Sequence, residues 1–195
     1  MLTKLDIINA MLATIGLASV AEMDTQHPAY AKASTTFDRV NKTFQSKPYW
    51  FNTSVVTLKH NPTTGEIILP SRATYANPVD RSLTYTMQGN RLYDRQNRTY
   101  DIREPVTVDL REFIDVELMP PTAQIYLQCL ARLAYYTDRG GSEPKLSVYM
   151  RELQEAQVDF RKECLRNADP NWFSTHTGLT GRRGYKLNRA GVGEY

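Results

Sequence analysis

Cysteine is scarce in this sequence, and its spacing fits neither a disulfide framework nor a metal site. Cys129 and Cys164 stand 35 positions apart, with no CxxC pair and no paired histidines nearby. Since both fall in segments with helical periodicity, we interpret them as reduced thiols packed as small apolar residues. A disulfide and a metal site are the alternatives. The cysteine count indicates nothing about secretion.

An excess of one charge is also missing from most of the chain. Lys and Arg number 24 against 21 acidic residues, which gives a net charge of +3. Residues 171–195 hold four basic side chains and one acidic one, so residues 1–170 are neutral. Any basic character therefore belongs to the C-terminal segment.

Long hydrophobic runs are absent. The most apolar stretch, residues 7–21, ends in a sequence that imitates a signal-peptidase site, but Asp6 and Asn9 interrupt its entry. It is too short and too interrupted to span a bilayer. We interpret it as a helix followed by a turn and expect no membrane association.

Catalytic motifs are missing as well. His27, His60 and His176 lie far apart, and no HExxH, GxSxG, Walker A or GxGxxG pattern occurs. Asp115 and Glu117 could sit together on a strand face, but a solvated edge is the better interpretation. We expect no enzymatic activity, no cofactor and no metal.

Helical periodicity marks both ends of the chain. Thr3 with Asp6 predicts a capping box, Gly16 predicts a left-handed stop, and Pro28 predicts the start of a second helix. Two further helices are predicted after Pro120 and after Ser142. Their predicted core positions are Tyr126, Leu127, Leu130, Ala131, Leu133 and Ala134 in the third helix and Leu146, Met150, Leu153, Phe160 and Cys164 in the fourth.

The middle of the chain changes to period-two alternation with Gly, Pro and Asn breaks. Short strands are predicted around residues 56–58, 67–69, 83–87 and 106–110, and residues 92–94 are predicted to pair with residues 99–102. This spacing predicts an antiparallel sandwich or a small barrel.

The order of these elements predicts an α+β fold. Two short helices cannot enclose a core alone, so we predict a four-helix bundle built from residues 1–49 and 118–170, with an antiparallel β domain inserted at residues 50–117. Residues 171–195 are predicted to be a flexible arm, because they contain five glycines and few apolar residues.

Aromatic and basic residues in the arm predict a segment that orders on a partner protein. A Gly-Arg-Arg-Gly stretch at residues 181–184 leaves RNA or DNA binding as an alternative, although so small a charge releases few counterions. The candidate partner-binding residues of the arm are Trp172, Phe173, Arg182, Arg183, Tyr185, Lys186 and Arg189.

A second candidate surface lies in the stretch RLYDRQNRTYD, residues 91–101. Tyr and Arg are favoured at protein interfaces and at nucleic-acid surfaces alike, and an ordinary solvated hairpin is the remaining alternative. We expect replacement of Arg95 and Tyr100 by Ala to impair assembly and to leave the melting temperature nearly unchanged. The candidate residues are Arg91, Tyr93, Arg95, Arg98 and Tyr100.

Several short motifs, in this order and spacing, resemble one known family. They are Met11-Leu12-Ala13-Thr14-Ile15-Gly16, Ser46-Lys47 with Phe51-Asn52, Tyr93-Asp94-Arg95, and Met119-Pro120 followed by Tyr126 and Ala131. Together they resemble the tail tubular protein A family of T7-like short-tailed bacteriophages, the head-to-tail adaptor.

The resemblance implies a structural virion protein that forms a ring of twelve copies between the portal protein and the tail nozzle, tubular protein B. It implies helical bundles packed side by side, C-terminal segments that reach the portal, and β units that face the nozzle and tail fibres. DNA would pass through the lumen without sequence recognition, and assembly would take place in the host cytoplasm. A small nucleic-acid-binding accessory protein that acts through the basic arm is the alternative function, and another connector, such as a head-completion protein, is a third.

Overall fold

The computed structural model describes residues 1–23 and 27–168. The predicted C-terminal arm and its seven candidate residues lie outside this part of the chain. The described residues form helices α1 (Lys4–Thr14), α2 (Pro28–Gln45), α3 (Pro121–Asp138) and α4 (Glu143–Ala168) and strands β1 (Thr53–Leu58), β2 (Ala73–Pro78), β3 (Tyr85–Gln88), β4 (Arg91–Asp94) and β5 (Val106–Glu112). The predicted α+β class is confirmed.

The predicted helix signals at the N-terminal end of the chain are confirmed. The Thr3 side chain accepts a hydrogen bond from the Asp6 backbone N–H, and the Asp6 carboxylate accepts one from the Thr3 backbone N–H. Gly16 follows α1 with a φ of +75°, a conformation that glycine adopts without steric cost. Pro28 occupies the first turn of α2, where its missing N–H leaves no hydrogen bond unmade.

Helices from both ends of the chain share one hydrophobic core. It contains Ile7 of α1, Phe37 of α2, Leu127 of α3 and Phe160 of α4, each at most 3% exposed. Helix α3 is central, because it packs against α1, α2 and α4, whereas α4 packs chiefly on α3. The space over α3 between α2 and α4 is therefore less completely closed than a regular four-helix bundle would make it.

Two predictions about helix faces need correction. The fully buried face of α3 contains Ala123, Leu127, Ala131 and Tyr135, whereas the other predicted core positions of α3 (Tyr126, Leu130, Leu133 and Ala134) are only half-buried. Helix α3 carries two adjacent apolar stripes, and the one that contains Ala123, Leu127, Ala131 and Tyr135 faces the core shared with α1 and α2. Met150 is 49% exposed, so its predicted core position in α4 is wrong.

The strands form two small antiparallel sheets. Strand β5 lies between β1 and β2 in the first sheet, with Val56 opposite Val108 and Ala76 opposite Leu110. Strands β3 and β4 form the second sheet. Both sheets bury their inward side chains in a second hydrophobic core that is separate from the helical one; its buried members are Ile67, Leu69, Ala76, Leu92, Val106, Val108 and Leu110.

The predicted pairing of residues 92–94 with residues 99–102 is wrong. Strand β4 pairs with β3 instead, because Gly89, with a φ of +64°, closes the tight turn between them. Only a single bridge joins Asp94 to Thr99. Strand β2 was not predicted, since its sequence ATYANP lacks alternating large apolar residues, and residues 67–69 form one bridge rather than a strand.

A buried polar network joins the helices to the sheets. The Gln45 side chain accepts a hydrogen bond from the Ile114 backbone N–H at 2.7 Å and donates one to the Ile114 carbonyl at 2.9 Å. The Asn52 side chain donates to the Gln45 carbonyl at 3.1 Å and accepts from the Tyr49 N–H at 2.8 Å. Gln45 and Asn52 are 1% and 3% exposed, whereas Ile114 and Tyr49 are half-buried, so these bonds are only partly accessible to water. They fix both chain segments that pass between the helices and the sheets.

An aromatic cluster surrounds this junction. The Tyr49 ring lies 4.9 Å from that of Phe44 and 5.1 Å from that of Phe160, and the Tyr126 ring stacks on Phe160 at 5.3 Å. Burial raises the pKa of Tyr49 to about 12, so its ring remains neutral. The division into a helical domain (residues 1–49 and 118–170) and an inserted domain (residues 50–117) stays a prediction, with which the two separate cores agree.

We predict that Gln45→Leu lowers the free energy of unfolding by about 1–2 kcal/mol, because it leaves the half-buried Ile114 N–H and carbonyl without their side-chain partners. Urea unfolding followed by circular dichroism measures this. Gln154→Leu, at an exposed position of α4, is the control and changes stability by less than about 0.5 kcal/mol. Equal unfolding midpoints for the two variants would contradict the role given to the network.

Candidate protein-interaction surface

The turn that follows β4 is built around the carboxylate of Asp94. Its oxygens accept hydrogen bonds from the backbone N–H groups of Gln96 and Asn97, from the Asn97 side-chain amide at 2.7 Å and from the Thr84 hydroxyl at 3.1 Å. Asp94 is 5% exposed. A side chain that accepts hydrogen bonds from the backbone two and three residues later stabilises a turn. This turn replaces the predicted hairpin at residues 95–98.

Burial on its own raises the pKa of Asp94, but the hydrogen bonds donated by Asn97, Gln96 and Thr84 outweigh it and hold the pKa below its ordinary value. The carboxylate is therefore charged at neutral pH. Its charge serves the turn, because all the hydrogen bonds that it accepts come from neighbouring loop and strand residues.

Three of the five predicted residues come together on one side of the second sheet. Alternation along β4 buries Leu92 and Asp94 and places Arg91 and Tyr93 on the opposite face. The Tyr93 and Tyr100 rings lie 5.0 Å apart, and the Arg91 guanidinium lies 4.9 Å from the centre of the Tyr100 ring. The result is a stack of Arg91, Tyr100 and Tyr93, which we call the Arg–Tyr stack.

Two residues that the sequence analysis missed hold this stack in place. Glu66 accepts a hydrogen bond from the Arg91 guanidinium at 2.6 Å, and Gln88 accepts one from the Tyr100 hydroxyl at 2.9 Å. Gln88 stands opposite Arg91 in the β3–β4 register, which a correct strand pairing would have indicated. Glu66 lies 25 positions from Arg91, and no local pattern could have linked the two.

The other two predicted residues are exposed beside the turn. Arg95 donates a hydrogen bond to the Thr84 carbonyl at 3.3 Å, and Arg98 has a φ of +55°, a left-handed conformation that few residues other than glycine and asparagine adopt. Neither guanidinium forms an ion pair with the described residues. Both charges are therefore open to an acidic or carbonyl-rich partner.

The arrangement suits a protein partner better than a nucleic acid. Single-stranded bases stack on open aromatic faces, but here Arg91 covers one face of Tyr100 and the two tyrosine rings lie against each other. Glu66 neutralises Arg91, which leaves Arg95 and Arg98 as the uncompensated charges of the five residues. Rigid, half-buried Tyr with exposed Arg is the composition that protein interfaces favour.

The described part of the chain offers little support for a metal site, a reactive cysteine or a membrane span. No group of three or more His, Cys, Asp or Glu residues there could hold a metal ion. Cys129 and Cys164 are free thiols, and burial raises the pKa of both, which makes them poor nucleophiles. No described helix combines the length and the apolar character needed to cross a membrane.

One family model decides which class of protein this is. The model of the tail tubular proteins matches residues 5–170, a range that holds all five strands and, except for Lys4, all four helices. The chain belongs to the tail tubular protein family. No curated protein matches the sequence. The family match makes this tail tubular protein a structural component of the phage virion tail, and the matched family is not a known enzyme family.

We predict that Asp94→Ala costs this tail tubular protein about 2 kcal/mol of stability at neutral pH, because four hydrogen bonds to a charged group are lost. Since the folded-state pKa of Asp94 is depressed, its contribution is fully present above the unfolded value of about 3.9 and is lost as the pH falls through the folded-state pKa. The difference between wild type and variant in unfolding free energy therefore shrinks in acid. Urea titrations at several pH values measure it.

The matched control is Asp94→Asn, which keeps one acceptor oxygen but carries no titrating charge. Its stability deficit is expected to be smaller than that of the Ala variant at neutral pH. A deficit of Asp94→Ala that stays constant from pH 7 to strong acid would contradict the role assigned to the charge.

Proposed function

We propose that this tail tubular protein is the A-type head-to-tail adaptor of a T7-like short-tailed phage. In this proposal twelve copies form a ring between the portal protein and the nozzle formed by tubular protein B, with tail fibres as further neighbours. DNA passes through the lumen without being read, and the ring assembles in the host cytoplasm. The observation that carries the proposal is the family match over residues 5–170, across both the helical and the β parts.

Three features of the described residues support a connector role. The chain is neutral up to residue 170, so nothing in its overall charge would hold DNA that has to slide past. The helical and β parts have separate cores, which gives one subunit two surfaces for two different partners. The junction between these parts is buried and hydrogen-bonded, as a load-carrying connection requires.

The Arg–Tyr stack with Arg95 and Arg98 is proposed as an intersubunit or nozzle-facing contact. The C-terminal arm is proposed as the portal-facing contact, through Trp172, Phe173, Tyr185 and the basic residues Arg182, Arg183, Lys186 and Arg189. The arm lies outside the described residues, so its role rests on its composition and on the resemblance alone.

Solution mass tests the adaptor role. The full chain is expected to shift from a small species to a complex that holds about twelve copies when the cognate portal ring is added, since that stoichiometry closes the proposed ring. Light scattering on a sizing column measures the shift. A folded chain that fails to join the portal would refute the role, and steeply salt-dependent DNA binding that disappears with residues 174–195 would favour the nucleic-acid alternative.

The exposed arginines test the proposed surface without disturbing the fold. Tyr100 packs against Tyr93 and Arg91, so its replacement removes about 1 kcal/mol of aromatic and cation–π contact. In an Arg95/Tyr100 variant, a loss of stability would therefore be mixed with any loss of assembly. We expect Arg95→Ala with Arg98→Ala to reduce tail assembly while the melting temperature stays within about 2 °C, since both side chains are exposed. Counting complete tails by electron microscopy measures assembly.

Arg81→Ala is the matched control, because Arg81 is an exposed arginine of the same β part. It is expected to assemble like wild type. Wild-type tail yields from the double variant would show that Arg95 and Arg98 form no assembly contact.

A further inference from the structure

An apolar groove lies open on the helical part of the chain, between α2 and α3. Its volume is about 470 Å³. The half-buried side chains of Val40, Tyr126, Leu130 and Leu133 line it, together with the buried ring of Phe44. Helix α4 packs on another side of α3 and does not cover this space. The second apolar stripe of α3, which contains Tyr126, Leu130, Leu133 and Ala134, therefore remains open toward it. An open apolar groove of this kind is a candidate contact surface for another chain.

The rim of this groove carries a cation without an ion-pair partner. At one side Arg39 and Asp138 pair with each other at 2.8 Å. Lys47 borders the groove near the C-terminal end of α2, is exposed, and forms no ion pair with the described residues. Thr43, one turn earlier, is an exposed and uncharged rim position. An occupant with an apolar side chain next to a carboxylate could bury the apolar side chain in the groove and pair the carboxylate with Lys47.

Helix α4 carries a surface of this composition on its outer side. Val158 is 51% exposed and shares a shallow recess with Gln154, Glu155 and Asp159. Asp159 pairs with Lys162 at 2.9 Å, whereas Glu155 forms no ion pair with the described residues. Val158 therefore presents an exposed apolar side chain one turn from an unneutralised carboxylate.

The groove and the Val158 surface cannot meet within one molecule. Helix α4 turns Ala156 and Phe160 inward, and Val158, two positions from each, lies about 200° around the helix and points away from α3. The two complementary surfaces thus lie on different sides of the same helical part. A contact between different surfaces of identical chains is heterologous, and heterologous contacts are those that close rings.

We propose that Val158 of one copy inserts into the α2–α3 groove of the neighbouring copy, with Glu155 placed against Lys47. A second copy of this chain is thus the occupant of the groove. Apolar burial supplies the affinity, and the Glu155–Lys47 pair sets the register of the two helices. This inference rests on the proposed ring and specifies which helical surfaces join its subunits.

Disulfide trapping tests the contact directly. Thr43→Cys and Val158→Cys are introduced together into a full-length chain in which Cys129 and Cys164 are replaced by Ala, and the protein is oxidised in complex with the portal ring. Non-reducing gels are expected to show a ladder that extends well beyond the dimer, because each copy offers both cysteines to different neighbours. Thr35→Cys with Val158→Cys is the control, since Thr35 is exposed on α2 beside a different recess.

The outcomes separate this inference from the adaptor role. A ring of about twelve copies by mass without the Thr43–Val158 ladder would overturn the contact and leave the adaptor role intact. That result is also the one expected if residues 169–195 or a portal helix occupied the groove. A second sample contains the same protein, concentrated, without the portal. A ladder in this sample from a chain that fails to join the portal would support the contact and refute the adaptor role. The absence of a ladder from both samples would overturn the contact.

Charge reversal in the chain with its own cysteines gives a second, independent test. Lys47→Glu and Glu155→Lys are each expected to weaken association between copies about tenfold, because attraction becomes repulsion at the same site. The double variant is expected to recover most of the loss. Single variants that associate like wild type, or a double variant as weak as either single one, would overturn the pairing.

Discussion

The hydrogen bonds between the Gln45 side chain and the Ile114 backbone are the constraint on which the rest of the structure depends. The chain passes from the helices to the sheets near residue 50 and returns to the helices near residue 114. Gln45 and Asn52 form hydrogen bonds at these two crossings. These bonds and the aromatic rings around them connect the helical core to the β core. A subunit that must contact one partner through its helices and another through its sheets needs this relation fixed.

Side chains of the β part illustrate how the proposed contact surface is ordered in advance. Asp94 shapes the turn, Glu66 and Gln88 hold the Arg–Tyr stack, and the rings are already ordered before any partner arrives. A preordered surface loses less conformational entropy on binding. Arg95 and Arg98 remain exposed, and in the proposed contact their charge would supply steering and specificity. The contact that we propose at the helical groove is of a complementary kind, in which apolar burial dominates.

Much of this fold could be predicted from the sequence wherever local chemistry determines the structure. Thr3 with Asp6, Gly16 and Pro28 act within a few residues, and the helix boundaries follow from them. The prediction of the strand pairing was wrong because the alternation around Leu92 is compatible with pairing to the segment before it or to the segment after it. The Gly89 turn and the Asp94 side chain favour the earlier segment, β3. The composition of residues 91–101 indicated the candidate residues of the β part. Their supporting partner Glu66 could not be predicted, because it lies 25 positions from Arg91.

We propose above all that this tail tubular protein is a subunit of a closed ring that joins the portal to the nozzle. Rotational symmetry tests this most directly, through averaged electron-microscopy end views of the chain bound to its portal. The account predicts a continuous ring with about twelvefold symmetry in which every subunit touches two neighbours through different surfaces. Isolated subunits scattered on the portal, or paired subunits with twofold contacts, would contradict it.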